Sequence, residues 1–385
     1  MEQPAADPGL WLLDPQVAFL NHGSFGACPR PVLEFQRVLQ DRMEREPVQF
    51  LFRDLEGLLD DARTALAQFV GADVENLVFV PNATSGVNTI LRSLDFKPGD
   101  ELLVTDQEYN ACRNSLDVVA QRAGAKVVVV SIPFPLTKAS DAVDAVLARV
   151  TPRSRLALID HVTSQTGMVL PIAPIVAGLN AKGVDTLVDG AHAPGMVTLD
   201  LRAIGAAYYT GNCHKWICAP KTAGFLCVRP DLQPLIHPLA TSHGANSTRT
   251  DRSRFLIEFA WTGTLDPSAC LSVPEALRFL GSLLPGGWPQ LMARNRELAL
   301  AARALLCQAL KIAAPCPDEC IGSLASLPLP PTPPLQERLF KTHGIEVPLI
   351  VWPTSPHRLL RISAQLYNSL PQYQKLAEAL TIELN

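Results

Sequence analysis

Asp185-Thr186-Leu187-Val188-Asp189-Gly190-Ala191-His192 is the stretch on which the fold turns. A short apolar run delivers a carboxylate into a turn of small residues. That is the pattern of a strand buried on both faces whose last side chain emerges at the carboxyl end of a sheet. Similar runs lie at 77–80, 101–105, 126–132 and 155–161 before it, and at 207–210 and 224–229 after it. Helical periodicity at 110–123, 139–150 and 172–182 alternates with the first five of these runs. Strands alternating with helices predict βαβ crossovers and a mainly parallel sheet, so the expected class is α/β, a three-layer αβα unit. The last two runs follow each other so closely that one is expected to enter the sheet antiparallel.

Outside that block the texture changes. Amphipathic helices are expected at 31–45 and 54–70, and longer ones at 267–284 and 287–310. A proline cluster at 327–334, short segments at 345–352 and 358–363, and a final helix at 371–384 complete the chain. We expect a large domain over residues 26–274 and a smaller α+β domain over 275–385, joined by the first 25 residues.

The 385 residues are 48% apolar and 18% charged, which supplies a core and excludes a disordered chain. The net charge of −4 carries no basic run, so a nucleic-acid partner is not expected. No apolar stretch is long enough to span a membrane, and the acidic, proline-containing start does not read as a secretory signal. Nine cysteines at irregular spacing argue for reduced thiols in a cytoplasmic setting rather than a disulfide framework. Cys316 and Cys320 have no histidine nearby to make a zinc site.

Three local features carry chemistry. The 77–80 strand runs into Asn82-Ala83-Thr84-Ser85-Gly86-Val87-Asn88, a turn that opens a helix. Free N–H groups and the dipole make such an end a phosphate cradle, although N-capping by Asn82, Thr84 or Ser85 explains the same residues. Asp189 at its strand end needs a cation or a donor to be tolerated, and capping the next helix would also serve. Lys215, between His214 and Trp216 in an apolar neighbourhood, reads either as an amine nucleophile of lowered pKa or as a solvated charge. Neither the dinucleotide fingerprint nor the P-loop occurs, which removes the usual nucleotide readings. Together, a phosphate cradle, a strand-end acid and a desolvated lysine are what pyridoxal 5′-phosphate requires.

The motifs then become familiar. Leu20-Asn21-His22-Gly23-Ser24-Phe25-Gly26, the 82–88 turn and Asp160-His161-Val162-Thr163-Ser164-Gln165-Thr166-Gly167 occur in order. Asp189-Gly190-Ala191-His192, Gly211-Asn212-Cys213-His214-Lys215-Trp216 and Trp261-Thr262-Gly263-Thr264 follow. Arg361-Ile362-Ser363-Ala364-Gln365-Leu366-Tyr367-Asn368 closes the series. This resembles a fold-type I pyridoxal-phosphate enzyme of the class V aminotransferase superfamily, in the branch of isopenicillin N epimerase-like proteins and cysteine/cystine C–S lyases. The resemblance implies Lys215 as Schiff-base lysine and proton carrier, and Asp189 on the ring nitrogen with His192 beside it. Ala83, Thr84 and His214 would hold the phosphate, and Tyr109 would stack on the ring. Ser164 stands where desulfurases have an asparagine near the ring hydroxyl. Thr262 and Gly263 would reach the partner's phosphate in a homodimer with shared active sites. Arg361 would grip the substrate carboxylate, with Arg358 as the fallback and Asn21 and His22 completing that site or serving a turn.

The expected reaction on an amino acid is C–S lysis by β-elimination or epimerisation, ahead of transamination or a non-catalytic cofactor-binding dimer. Residues 340–360 contain no cysteine, so a persulfide-forming desulfurase is disfavoured. Arg249, Arg252 and Arg254 would meet a second substrate carboxylate or serve as interface or solvent charges.

Overall fold

The computed structural model describes residues 1–331 and 334–384; Thr332 and Pro333 of the proline cluster, and Asn385, lie outside the described residues. In chain order its strands are β1 (Ala18–Phe19), β2 (Leu77–Val80), β3 (Glu101–Thr105), β4 (Lys126–Val130), β5 (Ser154–Asp160) and β6 (Asp185–Gly190). There follow β7 (Tyr208–Asn212), β8 (Gly224–Val228), β9 (Leu324–Leu329), β10 (Ile345–Glu346), β11 (Leu349–Val351) and β12 (Arg358–Ser363).

Strands β2 to β8 form one sheet in the order β2-β8-β7-β6-β5-β3-β4. From β4 across to β7 the pairing is parallel. β8 is antiparallel to β7 and to β2, because the 213–223 connection carries no helix that would return the chain to the other end of the sheet. Alternate residues feed two separate cores. Leu103, Ala157, Ile159 and Val188 pack with Leu66, Val146 and Ile175 on one face. Leu102, Leu156, Leu158 and Leu187 pack with Val87, Ile90 and Leu116 on the other. The two-residue period of the strands therefore dictates the helix–sheet–helix layering.

Two expected elements are shorter than their periodicity. The 126–132 run leaves the sheet after Val130, where the Asp106 carboxylate takes over by accepting from the Ile132 N–H at 3.0 Å. The 267–284 helix breaks into Ser268–Leu271 and Val273–Ser282, since Pro274 has no N–H to carry the helix across the join.

The remaining strands build a small sheet, β11-β12-β9, and a parallel pair, β1-β10. Through that pair, Ala18 lies opposite Ile345 and Phe19 opposite Glu346, which ties the beginning of the chain to its end. The backbone then crosses the loop after β7. Gly26 has φ +70°, and a Cβ there would sit 2.2 Å from the His214 carbonyl, so only glycine allows this approach.

Candidate active site

The carboxyl ends of β5, β6 and β7, with the turn that follows β3, deliver the polar residues of the site. Lys215 sits in the loop after β7, partly buried, with Nζ 3.1 Å from His192 Nε2. On the other side of that imidazole, Trp216 Nε1 donates to His192 Nδ1 at 3.3 Å. An indole N–H can only donate, so Nδ1 accepts and neutral His192 carries its proton on Nε2. Burial holds His192 well below its ordinary pKa, so it stays neutral. Nε2–H can then donate to Lys215 whenever the amine is unprotonated and offers its lone pair. Desolvation by burial, with the nearby charge of Arg361 second, lowers the Lys215 pKa to about 8.

Asp189 is buried at the end of β6. Its Oδ1 accepts from the Ala191 N–H at 2.9 Å and its Oδ2 from the Cys112 thiol at 3.2 Å. Burial raises its pKa, while those two donors and the Lys215 charge oppose the rise. Cys112 was not singled out from sequence. It sits one helical turn into Asn110–Ala123, and nothing local in its sequence announces a partner on β6.

The phosphate-type cradle is the start of helix Ala83–Ser93. Asn82 caps it by accepting from the Ser85 N–H at 2.9 Å. The Ala83 N–H, expected to face a phosphate, donates instead to Asn212 Oδ1 at 2.8 Å. The first free turn therefore offers the Thr84 N–H and hydroxyl. Gly86 lies against β7 so closely that a Cβ would be 2.1 Å from Thr210 Oγ1. His214 Nδ1 donates to the Ala223 carbonyl at 3.1 Å, and burial lowers its pKa to about 4. In the neutral ring Nε2 is an acceptor, so donation from it to an anion requires the imidazolium.

Arg361 on β12 is buried, and burial lowers its pKa to about 10. Its fork donates to the Ser164 carbonyl and to Ser24 Oγ at 3.0 Å, while Nε has no partner. Among the described residues no carboxylate pairs with it. A buried cation held by neutral acceptors is set up for an incoming anion. Ser24, a residue missed in sequence although it lies in the 20–26 motif, passes the contact on. Its hydroxyl donates to Asn21 Oδ1 at 2.5 Å, and Asn21 Nδ2 donates to Glu346 at 3.0 Å. Asn21 thus touches Arg361 through Ser24. His22 is fully buried with Nδ1 2.7 Å from the Tyr367 hydroxyl and Nε2 2.9 Å from the Lys215 carbonyl. Both nitrogens are engaged, and His22 braces the Lys215 backbone. Ser164 meets Arg361 through its carbonyl and, at 3.4 Å, its hydroxyl. Tyr109 is 46% exposed, capping helix Asn110–Ala123 at the mouth of the site.

Other candidates lie elsewhere. Arg358 is three residues from Arg361 on β12, and odd spacing places it on the opposite face. Thr262 and Gly263 line a cavity of about 440 Å³ with Ser85, Thr89, Leu59 and Phe79, whose walls do not include Lys215. Arg249 pairs with Glu56 at 2.8 Å and Arg252 with Asp60 at 3.1 Å, which ties the 249–252 loop to helix Leu55–Val70. Arg254 donates to the Gly244 carbonyl. Those two acid pairings make Arg249 and Arg252 structural charges, not free hands for a second carboxylate. Cys316 and Cys320 remain free thiols, as do the other seven cysteines.

The donor set fits pyridoxal phosphate: a lysine whose pKa is lowered to about 8, a buried carboxylate for a protonated ring nitrogen and a helix start with open donors. Comparisons with known proteins agree. The chain is 37% identical to isopenicillin N epimerase of Amycolatopsis lactamdurans, over 96% of this chain and 95% of that one. It is 32% identical to a probable chloroplastic L-cysteine desulfhydrase of Arabidopsis thaliana, over 95% of this chain and 83% of that one. Among solved structures it is similar to the cystine C–S lyase C-DES in complex with cysteine persulfide. That likeness has a TM-score of 0.78 and 22% identity, and covers 95% of this chain and 97% of that one. The cysteine desulfurase CsdA of Escherichia coli aligns with a TM-score of 0.79 and 20% identity, over 97% and 96% of the two chains. Residues 49–329 match the model of the aminotransferase class-V family, and the chain belongs to this family of pyridoxal-phosphate enzymes.

Proposed function

We propose that the chain is a lyase or epimerase acting at Cα and Cβ of an amino acid, with β-elimination from a sulfur-bearing amino acid as the leading reaction. The observation that carries this reading is Arg361: a buried guanidinium with neutral partners and an unpartnered Nε, near enough to lower the Lys215 pKa. Its fork would take the substrate α-carboxylate in bidentate fashion and hold Cα near the Lys215 amine. As a free base, Lys215 takes the proton from Cα and, once protonated, can return it to the leaving group or to carbon. When bound, the cofactor supplies the electron sink that makes that proton acidic. Asp189 would hold a positive charge at its end of the ring, and Thr84 would hold the phosphate. Neutral His192 keeps the lysine amine oriented.

Elimination needs one base, which Lys215 provides. Epimerisation needs a second acid on the far face, and the 37% identity to an epimerase keeps it as the second reading. Two copies are part of the proposal, with Thr262 and Gly263 reaching the partner's phosphate. Leu265 in the same cavity wall is 52% exposed, as an apolar interface requires. The division at residue 274, with residues 1–25 joined to the smaller part, is supported by the β1-β10 pairing. Nine free thiols support a cytoplasmic setting.

Purified protein is expected to be yellow and, after borohydride reduction, to carry the cofactor on Lys215 by mass spectrometry. Incubation with cystine, cysteine and other L-amino acids should release pyruvate. Cα deuterium exchange with inversion and no pyruvate would replace the lyase by the epimerase. A colourless protein that never takes up the cofactor refutes both.

A further inference from the structure

Three acids stand side by side across the carboxyl ends of adjacent strands. Asp160 and Asp189 are register partners on parallel β5 and β6, so their side chains share a face. Glu108 follows β3, the neighbour of β5 on the other side, in a turn closed by its N–H to the Thr105 carbonyl. All three are buried, at 4%, 3% and 2% exposure for Glu108, Asp160 and Asp189. Asp189 is supplied with donors, as described above. Glu108 is not: neither of its carboxyl oxygens, nor Asp160 Oδ2, has a hydrogen-bond donor.

Three dry carboxylates facing one another cannot all be ionised. The titratable groups acting on this trio are Cys112 from helix Asn110–Ala123, Lys215 from the loop after β7 and Tyr209 of β7. The Lys215 charge acts on Asp189 and Asp160, while Glu108 is pushed up by burial and the two aspartates, opposed only by the neighbouring Tyr109 N–H, which falls short of a formed hydrogen bond. Glu108 is thus the member with no cation to favour its charge. A proton placed on Glu108 gives Asp160 the donor it lacks and occupies an orphaned oxygen of each residue.

We propose that Glu108 is a protonated positioning residue, donating to Asp160 and leaving Asp189 ionised for the ring nitrogen. The pair acts on the cofactor only through Asp189 and touches no substrate. Glu108 and Asp160 thus complete the site as a charge-setting layer behind Asp189. This rests on the assignment of Asp189 to the ring nitrogen, but its central claim concerns a proton that can be seen without turnover.

The test is infrared spectroscopy of the full-length protein at neutral pH, with and without pyridoxal phosphate. The wild type should show the carbonyl stretch of a buried carboxylic acid, and Glu108→Gln should lose it with an unchanged circular dichroism spectrum. Absence of that band in the wild type, or its persistence in E108Q, overturns the proposal. Glu108→Leu removes the donor altogether, and should shift the pH dependence of the bound cofactor's absorbance where E108Q does not. Equal shifts in the two variants would also overturn it. If E108L does not fold, the infrared comparison still decides. A protein that shows the band but never takes up cofactor would sink the cofactor assignment and leave the shared proton standing.

Discussion

The Lys215 amine should titrate near pH 8 in the cofactor-free protein. Its ordinary pKa of 10.5 falls to about 8 because burial strips water from the ammonium and Arg361 adds a like charge. At about pH 7.5 roughly a quarter of the molecules then hold a free amine, against about one in a thousand for an ordinary lysine. The rate of pyridoxal phosphate uptake, followed by absorbance across pH, should rise to a plateau with its midpoint near 8. Arg361→Met removes the second cause, so the midpoint should move upward while burial keeps it below the ordinary value. Stability carries the same sign. Between about 8 and 10.5 the unfolded lysine binds more protons than the folded one, so this group makes the cofactor-free protein more stable as pH rises through that window. A midpoint near the ordinary lysine value, or one indifferent to R361M, would refute the reasoning.

Three further outcomes follow from the same geometry. Arg361→Ala removes two charge-assisted hydrogen bonds to an incoming carboxylate, at about 1.5–3 kcal/mol each. KM should rise by about a hundredfold or more, and Arg361→Lys should recover only part of the loss because the fork is gone. Trp216→Phe frees His192 Nδ1, so the imidazole can move its proton and accept from a lysine ammonium at Nε2. With about 1 kcal/mol of hydrogen bonding at stake, the Lys215 midpoint should rise by up to about one pH unit. Gly86→Ala drives a methyl to within 2.1 Å of Thr210 Oγ1 where helix Ala83–Ser93 meets β7. A loss of about 3 kcal/mol in chemical denaturation is expected, with weakened cofactor uptake. An unchanged denaturation midpoint would mean that the helix yields.

The apolar runs and their spacing were enough to predict the alternating strands and helices and an antiparallel entry by one of the last two strands, because period and connection length are properties of the chain itself. The strand-end acid, the lysine and the distant arginine were also legible, since each sits in a recognisable local motif. What the chain alone did not reveal was which of them touch. Ser24 beneath Arg361, Cys112 beside Asp189 and Asn212 on the Ala83 amide are contacts between segments far apart in sequence. The same holds for Arg249 and Arg252, whose charge is plain but whose partners on helix Leu55–Val70 are set by packing. Even the protonation of Lys215 is a tertiary fact, because the burial and the Arg361 charge that lower its pKa exist only once distant segments have packed together.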